Sequence, residues 1–184
     1  MDREYFEDYC GRGKYADIYL DHSGIENCLA TLKRMKVPVR SVLVLGTATG
    51  EVLADFKRAF RVTPHGCELS SWAHARIPAR FRRRIRRADL RSYVPKLARA
   101  GRRFDVTFSN SLVYLRASDI APVLRDCASV TRWFHFYSST TEQYEPGDSR
   151  RTLLRRRAWW REKFIAGGFS PTRSPYLWRS ESRR

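Results

Sequence analysis

The 184-residue sequence predicts an α/β domain, doubly wound around a mostly parallel sheet of six or seven strands with helices on both faces. Three observations predict it. Val42 to Leu45 is an apolar, β-favouring run without polar alternation, as expected of a strand covered on both faces. That run breaks into a small-residue loop, Gly46 to Gly50, after which Val52, Leu53, Phe56 and Phe60 recur at helical spacing. Three more short strand candidates follow, each ending in a polar or small residue, which is how an open parallel sheet presents its ligand edge.

Before the first strand, the segment Met1 to Tyr9 is acidic and aromatic and does not read as a signal peptide. Tyr5, Phe6, Tyr15 and Tyr19 either fold as a lid over a ligand bound in the pocket or anchor a terminal segment. Ser23-Gly24-Ile25-Glu26 reads as a capping box, with Ile25, Cys28, Leu29, Leu32 and Met35 forming the apolar stripe of the helix behind it.

The second strand is expected at His65 to Leu69, after Pro64, and the third near Ile85 to Ala88, before Asp89-Leu90. Phe104 to Ser109 gives the fourth, followed by Asn110 and a loop from Ser111 to Ser118. A helix over Asp119 to Ala128 turns Ile120, Val123, Leu124 and Cys127 inward, and Trp133 to Tyr137 is the fifth strand. A polar loop, Ser138 to Ser149, precedes a helix over Arg150 to Ala166 that stops at Gly167-Gly168. Phe169 to Trp178 has room for one more strand or a short hairpin.

Length allows one domain, 1–184: an N-terminal segment and helix over 1–40, a ligand-binding core over 41–138, and a loop, long helix and C-terminal strand over 139–184. The four cysteines, Cys10, Cys28, Cys67 and Cys127, form no metal-type pair, so no metal is expected and a reduced compartment is. No apolar run approaches membrane-spanning length. The expectation is a soluble, cytoplasmic protein that does not contact membranes; its oligomeric state is not legible.

Glycine spacing narrows the ligand. A dinucleotide fingerprint, G-x-G-x-x-G, would need glycine where Ala48 and Glu51 stand, and no phosphate-loop Gly-Lys-Ser/Thr is present. The loop is G-x-A-x-G, open to close approach of a ligand, while Glu51 at the helix start disfavours a pyrophosphate. These residues suit a nucleoside cofactor without phosphates. Glu68, about 20 residues past the loop at the tip of the second strand, stands where a ribose diol is usually held.

Taken together, these stations resemble the class I S-adenosylmethionine-dependent methyltransferases, whose fold is a seven-stranded Rossmann-like sheet. The resemblance runs from about Val42 to Ser138. It implies S-adenosylmethionine as cofactor: Gly46, Thr47, Ala48 and Gly50 around its methionine part, Glu68 and Leu69 at the ribose, Asp89 and Leu90 beside the adenine, and Ser109 and Asn110 facing the methyl. Two positions depart from the family pattern. Val44 stands where the family often has an acidic residue, and Ala48 replaces the middle glycine.

Methyl transfer requires an aligned acceptor, removal of its proton if it has one, and little water. Tyr114, His135 and Glu142 are the candidate catalytic residues; His135 has the pKa of a general base but sits within a strand, where a core histidine is expected. Asn/Asp-Pro-Pro-Tyr, which the family uses on exocyclic base amino groups, is replaced here by Ser-Asn-Ser-Leu. The first functional reading is therefore methylation of an O or N atom on a small molecule or peptide.

Two alternatives stay open. Of 36 basic residues, 30 are arginine; Arg76 to Arg103 holds 12 basic residues and 1 acidic, and Arg150 to Arg184 holds 11 and 2, within a chain of net charge +17. RNA methylation through these patches is the second reading. A non-catalytic binding protein on a degenerate core, suggested by Val44 and Ala48, is the third.

Overall fold

A computed structural model describes residues 3, 6, 24–137 and 153–182 of the chain. β1 (Val42–Leu45) forms where the apolar run predicts, and all four of its side chains are buried. They alternate between two cores. Val42 and Val44 pack with Ile25, Cys28 and Leu32 of α1 (Ile25–Arg34) and with Val52, Leu53 and Phe56 of α2 (Glu51–Phe60). Leu43 and Leu45 face the other side of the sheet.

β2 (His65–Glu68) pairs parallel with β1 and brings Cys67 opposite Leu45. Two short helices, α3 (Ser71–Arg76) and α4 (Ala79–Arg82), lead to β3 (Ile85–Arg87), which pairs parallel with β2. α5 (Leu90–Arg99) is capped by Asp89, whose carboxylate accepts from the Arg91 N–H at 2.8 Å. Next come β4 (Phe104–Phe108), a 3₁₀ turn (Ser111–Tyr114), α6 (Ala117–Val130) and β5 (Thr131–His135). α7 (Arg157–Ala166), β6 (Phe169–Pro171) and β7 (Leu177–Ser180) complete the chain.

The seven strands run in the order β3-β2-β1-β4-β5-β7-β6. β1 to β5 are parallel, and β7 enters antiparallel between β5 and β6. α5, α6 and α7 cover the second face, where Phe134 packs edge-on against Phe164 and Phe169.

Several boundaries differ from the sequence expectation. β5 begins at Thr131 rather than Trp133, and α6 extends by two residues at each end. α7 begins at Arg157, not Arg150: Leu153 is drawn into the second core, its N–H donating to the Val113 carbonyl at 2.9 Å, so Leu153 to Arg156 run as non-helical chain. α1 has Gly24, with φ +63°, at its N-cap and no side-chain cap bond; Ser23 of the expected capping box lies outside the described residues. Phe169 to Ser180 provides the hairpin β6–β7.

Candidate functional site

Strand order reverses between β1 and β4, which makes the crevice beyond their C-terminal ends the topological switch point of the sheet. The glycine loop leaves β1 there. The Gly46 and Thr47 N–H groups both donate to the Cys67 carbonyl, at 3.0 and 3.3 Å, binding the loop to β2. Gly46 has φ +79°, and a Cβ on it would collide with the Ser111 hydroxyl of the 3₁₀ turn, so glycine is required on two counts. Gly50, with φ +101°, occupies the N-cap of α2.

Ala48 also adopts a left-handed conformation, φ +48°, which a side chain makes unfavourable. Its holder is Glu68. One carboxylate oxygen of Glu68 accepts from the Ala48 N–H at 2.8 Å and the other from the Ser70 N–H at 2.9 Å. The carboxylate is buried, which raises its pKa, while the backbone donors work in the opposite direction. Directly after it, Leu69 is 53% exposed, one of two large exposed hydrophobics among the described residues.

Across the switch point, Ser109 donates to the Leu45 carbonyl at 2.9 Å and accepts from the Ser111 N–H, tying the ends of β1 and β4 together. The Asn110 side-chain carbonyl accepts from the Tyr137 N–H at 3.3 Å. Tyr114, in the 3₁₀ turn, packs against a small cluster of Phe6, Ala48 and Ala73. Trp72 of α3 closes this cluster: its ring stacks on Phe6 at 5.4 Å and 11°, and the Arg76 guanidinium lies 3.5 Å from its centroid. Thr47 Oγ1 and Trp72 Nε1, both buried beside the loop, have no hydrogen-bond partner among the described residues.

The fold therefore gathers Gly46, Thr47, Ala48, Gly50, Glu68, Leu69, Ser109, Asn110 and Tyr114 at one sheet edge. Asp89 and Leu90 are placed beside it but otherwise engaged. Asp89 caps α5 and pairs with Arg91 at 2.6 Å, a bond that holds its carboxyl below the usual range, and the Leu90 side chain belongs to the second core. Val44 is fully buried in the first core and contributes nothing to the crevice.

His135 is completely buried. Its ring stacks on Phe108 at 5.8 Å, Nε2 lies 3.2 Å from the Asn27 side-chain oxygen, and burial pulls its pKa down to about 3. This is a neutral core histidine, the alternative that its strand position had favoured over a base. Glu142, and Tyr5, Tyr15 and Tyr19 of the N-terminal segment, lie outside the described residues; Phe6 is described and is buried on the loop. Sequence reasoning did not single out Trp72, Ser111 or Asn27 for the site, since each acts through a contact with a residue distant in sequence.

Among the described residues, no group of three or more His, Cys, Asp and Glu side chains could hold a metal ion, and no helix is long and apolar enough to cross a membrane.

No protein-family model matches the sequence, and no curated protein matches it. Solved structures do. A magnesium protoporphyrin IX methyltransferase from Synechocystis, solved with bound SAM, aligns over 96% of this chain and 91% of its own, at 17% identity and a TM-score of 0.67. The sugar N-methyltransferase KedS8 from a Streptoalloteichus species aligns over 86% and 87%, at 16% identity and 0.66. An S-adenosylmethionine-dependent methyltransferase from Clostridium acetobutylicum aligns over 92% and 98%, at 12% identity and 0.70. The chain has the Rossmann-like fold of these class I methyltransferases.

Proposed function

We propose that the chain is an S-adenosylmethionine-dependent methyltransferase acting on an O or N atom of a small molecule or peptide. The observation that carries this reading is the Glu68 carboxylate at the tip of β2, bonded to the N–H of Ala48 in the glycine loop. A ribose held at that carboxylate leaves the loop beside the amino-acid end of the cofactor and the exposed Leu69 beside its base. Each Glu68 oxygen accepts one backbone N–H and keeps a lone pair for a ribose hydroxyl. The Thr47 hydroxyl, which has no hydrogen-bond partner among the described residues, adds a polar atom at the loop. A loop held this firmly in the strained Ala48 conformation supports retained binding over a degenerate core.

The bound cofactor supplies a methyl group on a positively charged sulfur. The chain's residues then orient the acceptor: Asn110 and Tyr114 stand at the end of β4, and His135, buried and neutral, is assigned no proton transfer. Neighbours that act on a sugar and on a porphyrin support a small-molecule acceptor.

Thermal unfolding with S-adenosylmethionine or S-adenosylhomocysteine tests the reading. A ligand at 100 times its Kd should add about 2.7 kcal/mol of stability, and Glu68→Ala should weaken the effect far more than Asp89→Ala. No shift at millimolar cofactor would overturn it.

A further inference from the structure

β3 is a three-residue edge strand, at the opposite end of the sheet from the β6–β7 hairpin. Ile85 is buried, while Arg86 and Arg87 are exposed and project to opposite sides by strand alternation. The turn into β3 adds the exposed Arg83 and Arg84, and the turn between α5 and β4 adds Arg102. Arg86 and Arg87 therefore flank the unpaired edge from its two faces. Arg86 and Arg102 both lie close enough to the Tyr93 phenol to act on its ionisation, and Arg84 and Arg102 act on the His65 imidazole. The Arg84 guanidinium lies 3.4 Å from His65 Nε2, and Arg86, in register with Cys67, shares the sheet face on which Tyr93 packs.

Almost nothing neutralises them. Between Arg76 and Arg103 the single carboxylate is Asp89, and Arg91 takes it. Arg83, Arg86, Arg87 and Arg102 make no ion pair among the described residues. Two charged side chains would be enough to protect so short an edge from strand pairing. The additional arginines repel one another, and that cost is offset when a polyanion binds.

We propose that this edge is a docking face for single-stranded nucleic acid, with phosphates held by Arg86, Arg87 and Arg102 and a base laid on Tyr93. Arginine matches phosphate oxygens in a bidentate manner, and the partly exposed Tyr93 ring offers a surface on which a base stacks. The other anionic partners need something this face lacks. A protein interface is anchored by buried apolar or aromatic groups at its centre, and membrane binding draws strength from inserted apolar side chains. The large exposed hydrophobics among the described residues are Leu69, at the switch-point crevice, and Ile165, on α7. Neither belongs to this edge.

Placement also separates this face from the candidate methyl-transfer site. Ala88, at the end of β3, donates to the Glu68 carbonyl, so the face reaches only the β2 side of the crevice, while Asn110 and Tyr114 stand beyond β1 at the end of β4. The described arginines of the second block lie before and on α7, in the β6–β7 turn and on β7, at the opposite edge, and do not extend it.

The test uses the full chain and a fluorescein-labelled oligouridylate, with anisotropy as the readout. Three phosphate contacts predict a slope of log K against log salt of about −2, or about a 20-fold loss between 50 and 200 mM salt. Arg86→Glu, Arg87→Glu and Arg102→Glu together should weaken binding at least about ten-fold. The same three positions changed to lysine should retain most of it. Charge reversal of Arg155, Arg161 and Arg173 should leave affinity within about two-fold. Melting temperatures of the variants confirm that each is folded. Absent or salt-independent binding would overturn the proposal, as would equal losses from the two reversed triples, or capture by phosphatidylserine vesicles without binding to the oligonucleotide.

Discussion

Glu68 makes two demands on one carboxylate. It satisfies two backbone N–H groups, and it is buried so that its pKa lies above the ordinary value. A raised folded-state pKa means that the stabilisation is complete below the unfolded value, about pH 4.3, and declines as pH rises through the folded value. Glu68→Ala orphans both N–H groups and should cost about 1–3 kcal/mol, with a larger penalty at pH 4 than at pH 8 in urea denaturation. A penalty that grows with pH would refute this assignment. His135 has the opposite sign. Its pKa falls to about 3 in the folded state, so its contribution is present above the unfolded value, near 6.5, and is lost as pH falls toward 3. His135→Phe keeps the ring stack on Phe108 and should flatten the acid limb of the stability curve while lowering stability at pH 7, where the Asn27 side-chain oxygen is left with only the longer bond from the Thr31 hydroxyl. An unchanged acid limb would show that another group sets it.

At the level of elements, Asp89 shows a residue whose family position and structural task diverge. Its carboxylate caps α5 and holds Arg91. Asp89→Ala should cost about 1 kcal/mol through the cap and leave cofactor affinity nearly unchanged; a large affinity loss with unchanged stability would restore the adenine role. Much at this scale was legible in advance. β1, the glycine loop and α2 announce themselves through a continuous apolar run, small residues and helical spacing, all local signals. The start of α7 did not, because the hydrogen bond from Leu153 to Val113 overrides the propensity of the segment before it. The length and pairing of β5, β6 and β7 were equally hidden, since short strands are fixed by neighbours rather than by their own pattern.

For the molecule as a whole, the hairpin β6–β7 decides whether β5 has an exposed edge. Trp178 stacks on Phe164 at 4.6 Å and 10°, and Phe169 meets Phe134 and Phe164, so the hairpin seals the second core as well as pairing with β5. Trp178→Ala should cost about 3–5 kcal/mol, read as a lower urea midpoint with an unchanged slope; a loss under about 1 kcal/mol would mean the ring is not part of the core. Truncation before Phe169 should yield insoluble protein, because it leaves β5 as an unpaired edge beside uncovered aromatics. A soluble, cooperatively folding truncation would contradict this. The same scale separates the arginine blocks: strand order alone puts β3 at one end of the sheet and the hairpin at the other.

What the sequence determined by itself was whatever depends on neighbours along the chain: fold class, the loop from Gly46 to Gly50, Glu68 at a strand tip, and the concentration of arginine. Tertiary structure decided what depends on residues brought together from afar. It placed Ala48 in a left-handed conformation held by Glu68, set Ser111 against Gly46, buried His135 against Asn27, and brought Arg84 of the turn before β3 against His65. The physical reason is range. Hydrophobic periodicity and turn chemistry act over a few residues, whereas burial, pairing and electrostatic environment are set by which strands lie side by side.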